Sequence, residues 1–164
     1  MNQVKQKAST NEQKSQLFFK SFFPKRAVQL VPTIQTNYPL PKWKFETTTN
    51  EQIDRVIRTM KPYKASRSDS APNSIFTHNQ ELLTPFLGPI YRTTDVLKHY
   101  PEDWKTTETP ILRKPGKPSY TIPGAYRPIV LSNGFARVLN MCKTEDAAKM
   151  AEKEGLLPPN HFGG

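Results

Sequence analysis

Cysteine is nearly absent from this 164-residue chain: Cys142 stands alone and can form no internal disulfide. Histidine is scarce as well. His78, His99 and His161 are scattered, and with one thiol they give no metal-ligand spacing, which excludes a zinc module. Long apolar runs are missing, and no apolar stretch precedes a small-residue cleavage site near Met1. The sequence therefore offers no spanning helix and no secretory leader, and an intracellular location is expected. Glycine is sparse, 7 residues against 16 prolines, and the hydrophobic share is only 35%. Such a composition is loop-rich but short of the disordered extreme. At this length one domain that buries about 70% of its unfolded surface is the upper bound, so a complete multidomain enzyme is excluded.

Acid is scarce in one stretch and missing from another. Residues 1–50 carry eight Lys/Arg against Glu12 and Glu46, a net +6. From Thr109 to Lys143 come Arg113, Lys114, Lys117, Arg127, Arg137 and Lys143 with no acid, a second +6 within a total of +10. Blocks of this kind suit polyanions, although a basic surface can also serve solubility alone.

Residues 1–45 read as a lead-in arm. After a polar stretch comes the cluster Leu17-Phe18-Phe19-Lys20-Ser21-Phe22-Phe23, which either packs on a core or meets a partner; Pro24, Pro32, Pro39 and Pro41 then favour extended chain. Thr48 to Lys61 is the clearest helix. Thr48-x-x-Glu51 and Thr49-x-x-Gln52 both fit a capping box, and Ile53, Val56, Ile57 and Met60 follow helical spacing until Pro62. A polar loop, Lys64 to Asn73, precedes a second periodic run, Leu82, Leu83, Phe86, Leu87, Ile90, Tyr91 and Leu97. Pro89 within it predicts a start at Thr84 or a kink. Thr106 to Lys114 and Arg127 to Leu131 read as two short strands around the turn-rich Pro115 to Gly124. Phe135, Val138, Leu139 and Cys142 open a last helix that Gly155 caps.

Four motifs in order carry a family resemblance. They are Pro101-x-x-Trp104; Ile111-Leu112-Arg113-Lys114-Pro115-Gly116-Lys117; Tyr126-Arg127-Pro128-Ile129-Val130-Leu131-Ser132-Asn133 with Arg137 four residues on; and Leu157-Pro158-Pro159-Asn160-His161-Phe162-Gly163. Together they resemble the N-terminal, fingers part of the reverse transcriptase domain of LINE-type (non-LTR) retrotransposons, over about residues 45–163. The resemblance implies an α+β fold: a partial right-hand polymerase, fingers helices on a small antiparallel sheet, with an extended N-terminal arm over 1–45 and a partial reverse transcriptase domain over 46–164. The chain is expected to be truncated before the palm aspartates that hold two Mg2+ ions in the complete enzyme. It would then lack catalytic and metal-binding residues and would not polymerise alone, and Phe86, Ile90, Leu97, Phe135 and Leu139 would form a core with partly exposed faces. The implied partners are RNA and DNA template and primer, plus the remainder of the polymerase if the frame continues, with no membrane; the implied location is nuclear.

Within the resemblance, Lys114 and Arg127 match basic positions that hold the phosphates of an incoming dNTP, where cations offset concentrated negative charge. Solvated strand-end charges are the alternative. Arg113, Lys117, Tyr120, Tyr126 and Arg137 are candidate nucleic-acid contacts, the aromatics stacking bases beside neutralising charge. Equally, the tyrosines can plug the loop onto the sheet, and Arg137 can pack its stem along its helix. Glu102-Asp103 and Glu145-Asp146 read as surface charges rather than metal ligands. Lys64-Ala65-Ser66-Arg67-Ser68-Asp69-Ser70 departs from the family's Lys-Ala-Pro-Gly-Pro-Asp-Gly, and non-glycine residues forced to positive φ there would cost about 1 kcal/mol each unless the loop takes another path. His161 and Gly164 replace the usual Gln and Phe. Two other readings stand beside this one: a non-catalytic RNA-binding protein derived from such an element, and an inert pseudogene product.

Overall fold

Thr49, not Thr48, starts the helix that the sequence marks most clearly. In the computed structural model, which describes residues 8–25 and 46–157, Thr49 Oγ1 accepts the Gln52 amide N–H at 3.1 Å and α2 runs Asn50–Thr59. The capping box stays half closed. The Gln52 side chain instead donates to the Cys142 carbonyl (3.0 Å) and to Asp146 Oδ1 (2.7 Å), joining α2 to the last helix. Thr48 is fully buried and its hydroxyl has no hydrogen-bond partner among the described residues. Ile53, Val56, Ile57 and Met60 turn inward as their spacing predicts, each aliphatic side chain contributing about 1.5–3 kcal/mol on full burial.

The chain divides into two compact units. In the larger, Pro41–Glu108 with Val130–Gly164, α2 packs with α3 (Asn73–His78), α4 (Gln80–Leu97) and α6 (Gly134–Lys153). Its core joins Ile53, Ile57, Phe76, Leu87, Tyr91, Val138, Leu139 and Cys142. The unit also holds α5 (Glu102–Lys105) and a two-stranded antiparallel pair, β1 (Thr107–Glu108) with β4 (Leu131–Ser132), in register Thr107↔Ser132.

Helix α4 corrects two expectations. It begins at Gln80, four residues before Thr84, and carries both Pro85 and Pro89 inside. Each proline removes one backbone donor, from the carbonyls of Glu81 and Pro85 respectively. Both prolines and both residues that carry these acceptors are exposed, on the side of the helix open to solvent. The inward face is Thr84, Leu87, Gly88 and Tyr91. Phe86, Ile90 and Leu97 are therefore not core: they stand 66%, 48% and 66% exposed beside Leu82. Phe135 is half-buried and Leu139 is buried, as expected. The run of apolar residues covers two helix faces, and only the packing partners select one.

The loop 64–70 keeps φ negative throughout, so the strain that missing glycines would impose does not arise. A different device holds it. Arg67, 3% exposed, pairs with Asp69, donates to the carbonyls of Asp103 (2.9 Å) and Thr106 (3.0 Å), and reaches Asp103 Oδ1 at 2.7 Å. Ser70 Oγ accepts the Gly134 N–H at 2.7 Å. The hydrogen bond from Arg67 holds the Asp103 carboxyl below its ordinary range. Helix α6 closes as Gly155 predicts: Leu156 N–H reaches the Ala151 carbonyl and Gly155 N–H the Glu152 carbonyl, with Gly155 at φ +61°.

The smaller unit comprises Met1–Leu40 and Thr109–Ile129. Its described part holds α1 (Asn11–Phe22), β2 (Ile111–Arg113), a 3-10 turn (Pro123–Ala125) and β3 (Tyr126–Pro128). The single antiparallel sheet expected from the sequence is thus two short pairs, β1 with β4 and β2 with β3. Proline explains the brevity, because Pro110 has no N–H to extend a ladder. The extended arm also needs correction, since Asn11–Phe22 is helical with a full capping box between Thr10 and Gln13. All the arm's prolines come after this helix; Pro32, Pro39 and Pro41 lie outside the described residues, as do His161 and Gly164. No helix among the described residues is long and apolar enough to cross a membrane.

Candidate nucleic-acid interface

Strand alternation sorts the basic hairpin into two faces. β2 and β3 pair Ile111↔Pro128, Leu112↔Arg127 and Arg113↔Tyr126, which sets Arg113 and Tyr126 on one face and Leu112 and Arg127 on the other. Lys114 follows β2, shares the parity of Leu112, and donates its backbone N–H to the Ala125 carbonyl at 2.8 Å. Lys114 and Arg127 thereby fall on one face. The Lys114 ammonium donates to the Gly124 carbonyl at 2.9 Å, so its side chain is held across the turn, whereas Arg127 and Lys117 are exposed.

Both tyrosines are engaged inside the hairpin. Tyr120 OH donates to the Lys114 carbonyl (2.9 Å), Tyr126 OH to the Tyr120 carbonyl (3.0 Å), and the two rings meet edge to face at 5.9 Å. The Arg113 guanidinium lies 5.1 Å from the Tyr120 ring centre, a cation-π contact. Phe18 of α1 packs edge-on against Tyr126 at 4.7 Å. Of the two roles open to Tyr120 and Tyr126, these contacts support the loop.

Arg137 belongs to the larger unit. Its guanidinium donates to Asn73 Oδ1 (2.8 Å) and to the Ala65 carbonyl (3.3 Å), tying α6 to the 64–73 segment. It is half-buried, and the geometry gives it a positioning role within that unit.

Charge separates with the units. The described residues of the smaller unit carry seven Lys/Arg against Glu12 alone, and those of the larger carry twelve against thirteen acids. None of the seven forms an ion pair among the described residues. Five of the thirteen acids among the larger unit's described residues form ion pairs. Glu102 pairs with Lys105, Asp103 with Arg67 and Asn133, and Glu145 with Arg55 and Lys149. Those hydrogen bonds hold the Glu102, Asp103 and Glu145 carboxyls below their ordinary range. A pair of Mg2+ ions needs several converging oxygen ligands. Among the described residues no group of three or more His, Cys, Asp or Glu could hold a metal, and these residues do not fit that pair.

Two buried groups, Cys142 and Tyr91, belong to the larger unit's core. Burial pushes the Cys142 thiol up to about 11, and it pushes the Tyr91 phenol up while its OH donates to the Phe135 carbonyl at 2.9 Å. A cleft of about 760 Å3 lies against Asp54, Arg58 and the segment from Thr77 to Leu82. None of the candidate phosphate- or nucleic-acid-binding residues lines it.

Sequence reasoning missed the helical cations Lys14 and Lys20, which join the hairpin's unit. The signal was present: Thr10-x-x-Gln13 is the same pattern that marks α2.

This chain contains a reverse transcriptase-related region. It is 31% identical over 135 residues to the probable RNA-directed DNA polymerase from transposon X-element of Drosophila melanogaster, covering 82% of this chain and 14% of that protein. To the probable RNA-directed DNA polymerase from transposon BS of the same fly it is 24% identical over 113 residues, covering 69% of this chain and 12% of that protein. The chain thus spans about one-eighth of the length of these curated relatives. No family model matches it.

Proposed function

We propose that this chain is the fingers portion of a LINE-type reverse transcriptase, with a partial right-hand polymerase fold, and that it supplies backbone and dNTP-phosphate contacts while the two-metal chemistry resides in palm residues it does not contain. The observation that carries this reading is the one-sided charge of the unit built on the β2–β3 hairpin, seven Lys/Arg against one acid among its described residues, in a chain similar to RNA-directed DNA polymerases. Lys114 and Arg127, on one face of the ladder, meet triphosphate or backbone oxygens. Arg113 and Lys117 add backbone contacts, Tyr120 and Tyr126 hold the loop in shape, and Arg137 acts through the 64–73 segment. Template and primer strands are the partners.

Binding to single-stranded RNA is expected to be weak and salt-dependent. With about three phosphates neutralised, log K falls with log salt at a slope near -2. Lys114→Ala and Arg127→Ala are each expected to flatten that slope by about 0.7, whereas Lys153→Ala, at the end of α6, leaves it unchanged. Fluorescence anisotropy across a salt series reads both. A flat profile for the parent chain, or equal effects from all three variants, would overturn the reading in favour of solvated charge. The chain alone, with primer, template, dNTPs and Mg2+, is expected to extend nothing above buffer.

A further inference from the structure

The Leu17–Phe23 cluster is divided by the fold into two pairs with different surroundings. Phe18 and Phe22 are half-buried and stack at 5.9 Å, and Phe18 packs on Tyr126, so this pair anchors α1. Phe19 and Phe23, also one helical turn apart, stand 65% and 44% exposed. Their ring centres are 5.7 Å apart and their planes are tilted by 33°.

We propose that Phe19 and Phe23 form a stacking ledge for unpaired bases of single-stranded RNA, a contact separate from the phosphate-binding hairpin. The inference rests on the nucleic-acid reading above and adds where bases, rather than phosphates, are held. Charge complementarity selects the occupant. Lys14, Lys20 and Lys25 are exposed on or beside α1, the hairpin of the same unit adds Arg113, Lys117 and Arg127, and Glu12 is the only acid among the unit's described residues. Exposed aromatic faces bordered by free cations are what sequence-tolerant single-strand binding requires, because every base offers a π face and every nucleotide a charge. A protein partner would be suited by a broader apolar stripe. On α1 and its C-cap the exposed large apolar residues are Leu17, Phe19 and Phe23, set among the polar Ser15, Gln16 and Lys20. The contrasting surface is on α4, where Leu82, Phe86, Ile90 and Leu97 are exposed in a unit of balanced charge.

The test uses the full chain and a double variant, Phe19→Ala with Phe23→Ala, against a labelled twelve-nucleotide oligouridylate and an abasic oligomer of the same length. Stacking predicts at least about tenfold weaker binding of the RNA by the variant, an unchanged salt slope, and equal binding of the abasic oligomer by both proteins. Phe19→Trp is expected to keep the RNA affinity and to show quenched fluorescence on binding. Equal losses on RNA and abasic oligomer, or no loss on RNA, overturn the ledge even where the parent binds with its expected salt slope. Ring-dependent binding to vesicles of phosphatidylcholine and phosphatidylserine, without a ring-dependent effect on RNA, overturns it in favour of a lipid surface. A parent chain that binds no RNA overturns this inference together with the reading it rests on.

Discussion

Phe76→Ala is expected to remove most of the cooperative stability of the larger unit. Phe76 is fully buried, and its ring meets Phe135 edge to face at 5.1 Å. It belongs to the six-residue α3, which has no side-chain cap at its N-terminus. A helix that short does not hold itself, because nucleation is unfavourable and too few hydrogen bonds follow. What holds it is Phe76 together with Asn73, whose amide donates to the Lys61 carbonyl at 3.0 Å and accepts from Arg137. Truncating a buried Phe costs about 3–5 kcal/mol, against a total of about 5–15 kcal/mol for an ordinary domain. Urea unfolding followed by far-UV circular dichroism and by tryptophan fluorescence is expected to show a large fall in midpoint and divergence of the two probes. A loss under about 1 kcal/mol would mean that the site collapses around the smaller side chain.

Gly134→Ala is the second large effect, and its sign opposes helix propensity. Alanine is favoured over glycine by about 1 kcal/mol in a helix interior. At Gly134, the first residue of α6, an added Cβ would stand 2.6 Å from the Ala71 carbonyl oxygen and 2.7 Å from the Phe76 ring. One obstacle is backbone and the other is the ring that anchors α3. The helix start cannot shift freely, since Gly134 N–H bonds Ser70 Oγ and Asn133 Oδ1 accepts the Phe135 N–H at 2.9 Å. Overpacking of this kind costs about 1–3 kcal/mol or more. Gly124→Ala is the control: nothing lies within 4 Å of its added Cβ, and its effect is expected to stay within about 0.5 kcal/mol. A Gly134→Ala chain as stable as the parent would sink this account of why glycine opens α6.

Helices α2 and α6 are legible in the amino-acid sequence because their signals are local. Their caps and apolar spacing lie within one or two turns of the residues they organise, and the Thr49 and Gly155 caps stand where the sequence puts them. The hairpin is legible for the same reason, since proline and glycine punctuate it and strand residues flank them. Local too is the signal for α1 in Thr10 and Gln13, but the prolines that follow it point the other way, toward extended chain, and mask it. Two basic blocks, each with a net charge of +6, can be counted along the chain. That one compact unit takes in residues from both, and that the larger unit balances its own charge, depends on pairings between residues far apart in sequence.

The sequence by itself determined an α+β chain with capped helices, a basic hairpin and reverse transcriptase-like motifs. Only the tertiary structure decided which face of α4 is buried, because Leu82, Phe86 and Ile90 are as apolar as Leu87 and Tyr91, and burial is granted by whichever neighbour arrives. Only it decided that Arg67 replaces glycine in shaping the 64–70 loop and that Arg137 holds Asn73. A guanidinium has the same charge in solvent as in a buried fork of carbonyls and carboxylates, and its role follows from the acceptors that folding brings within about 3 Å.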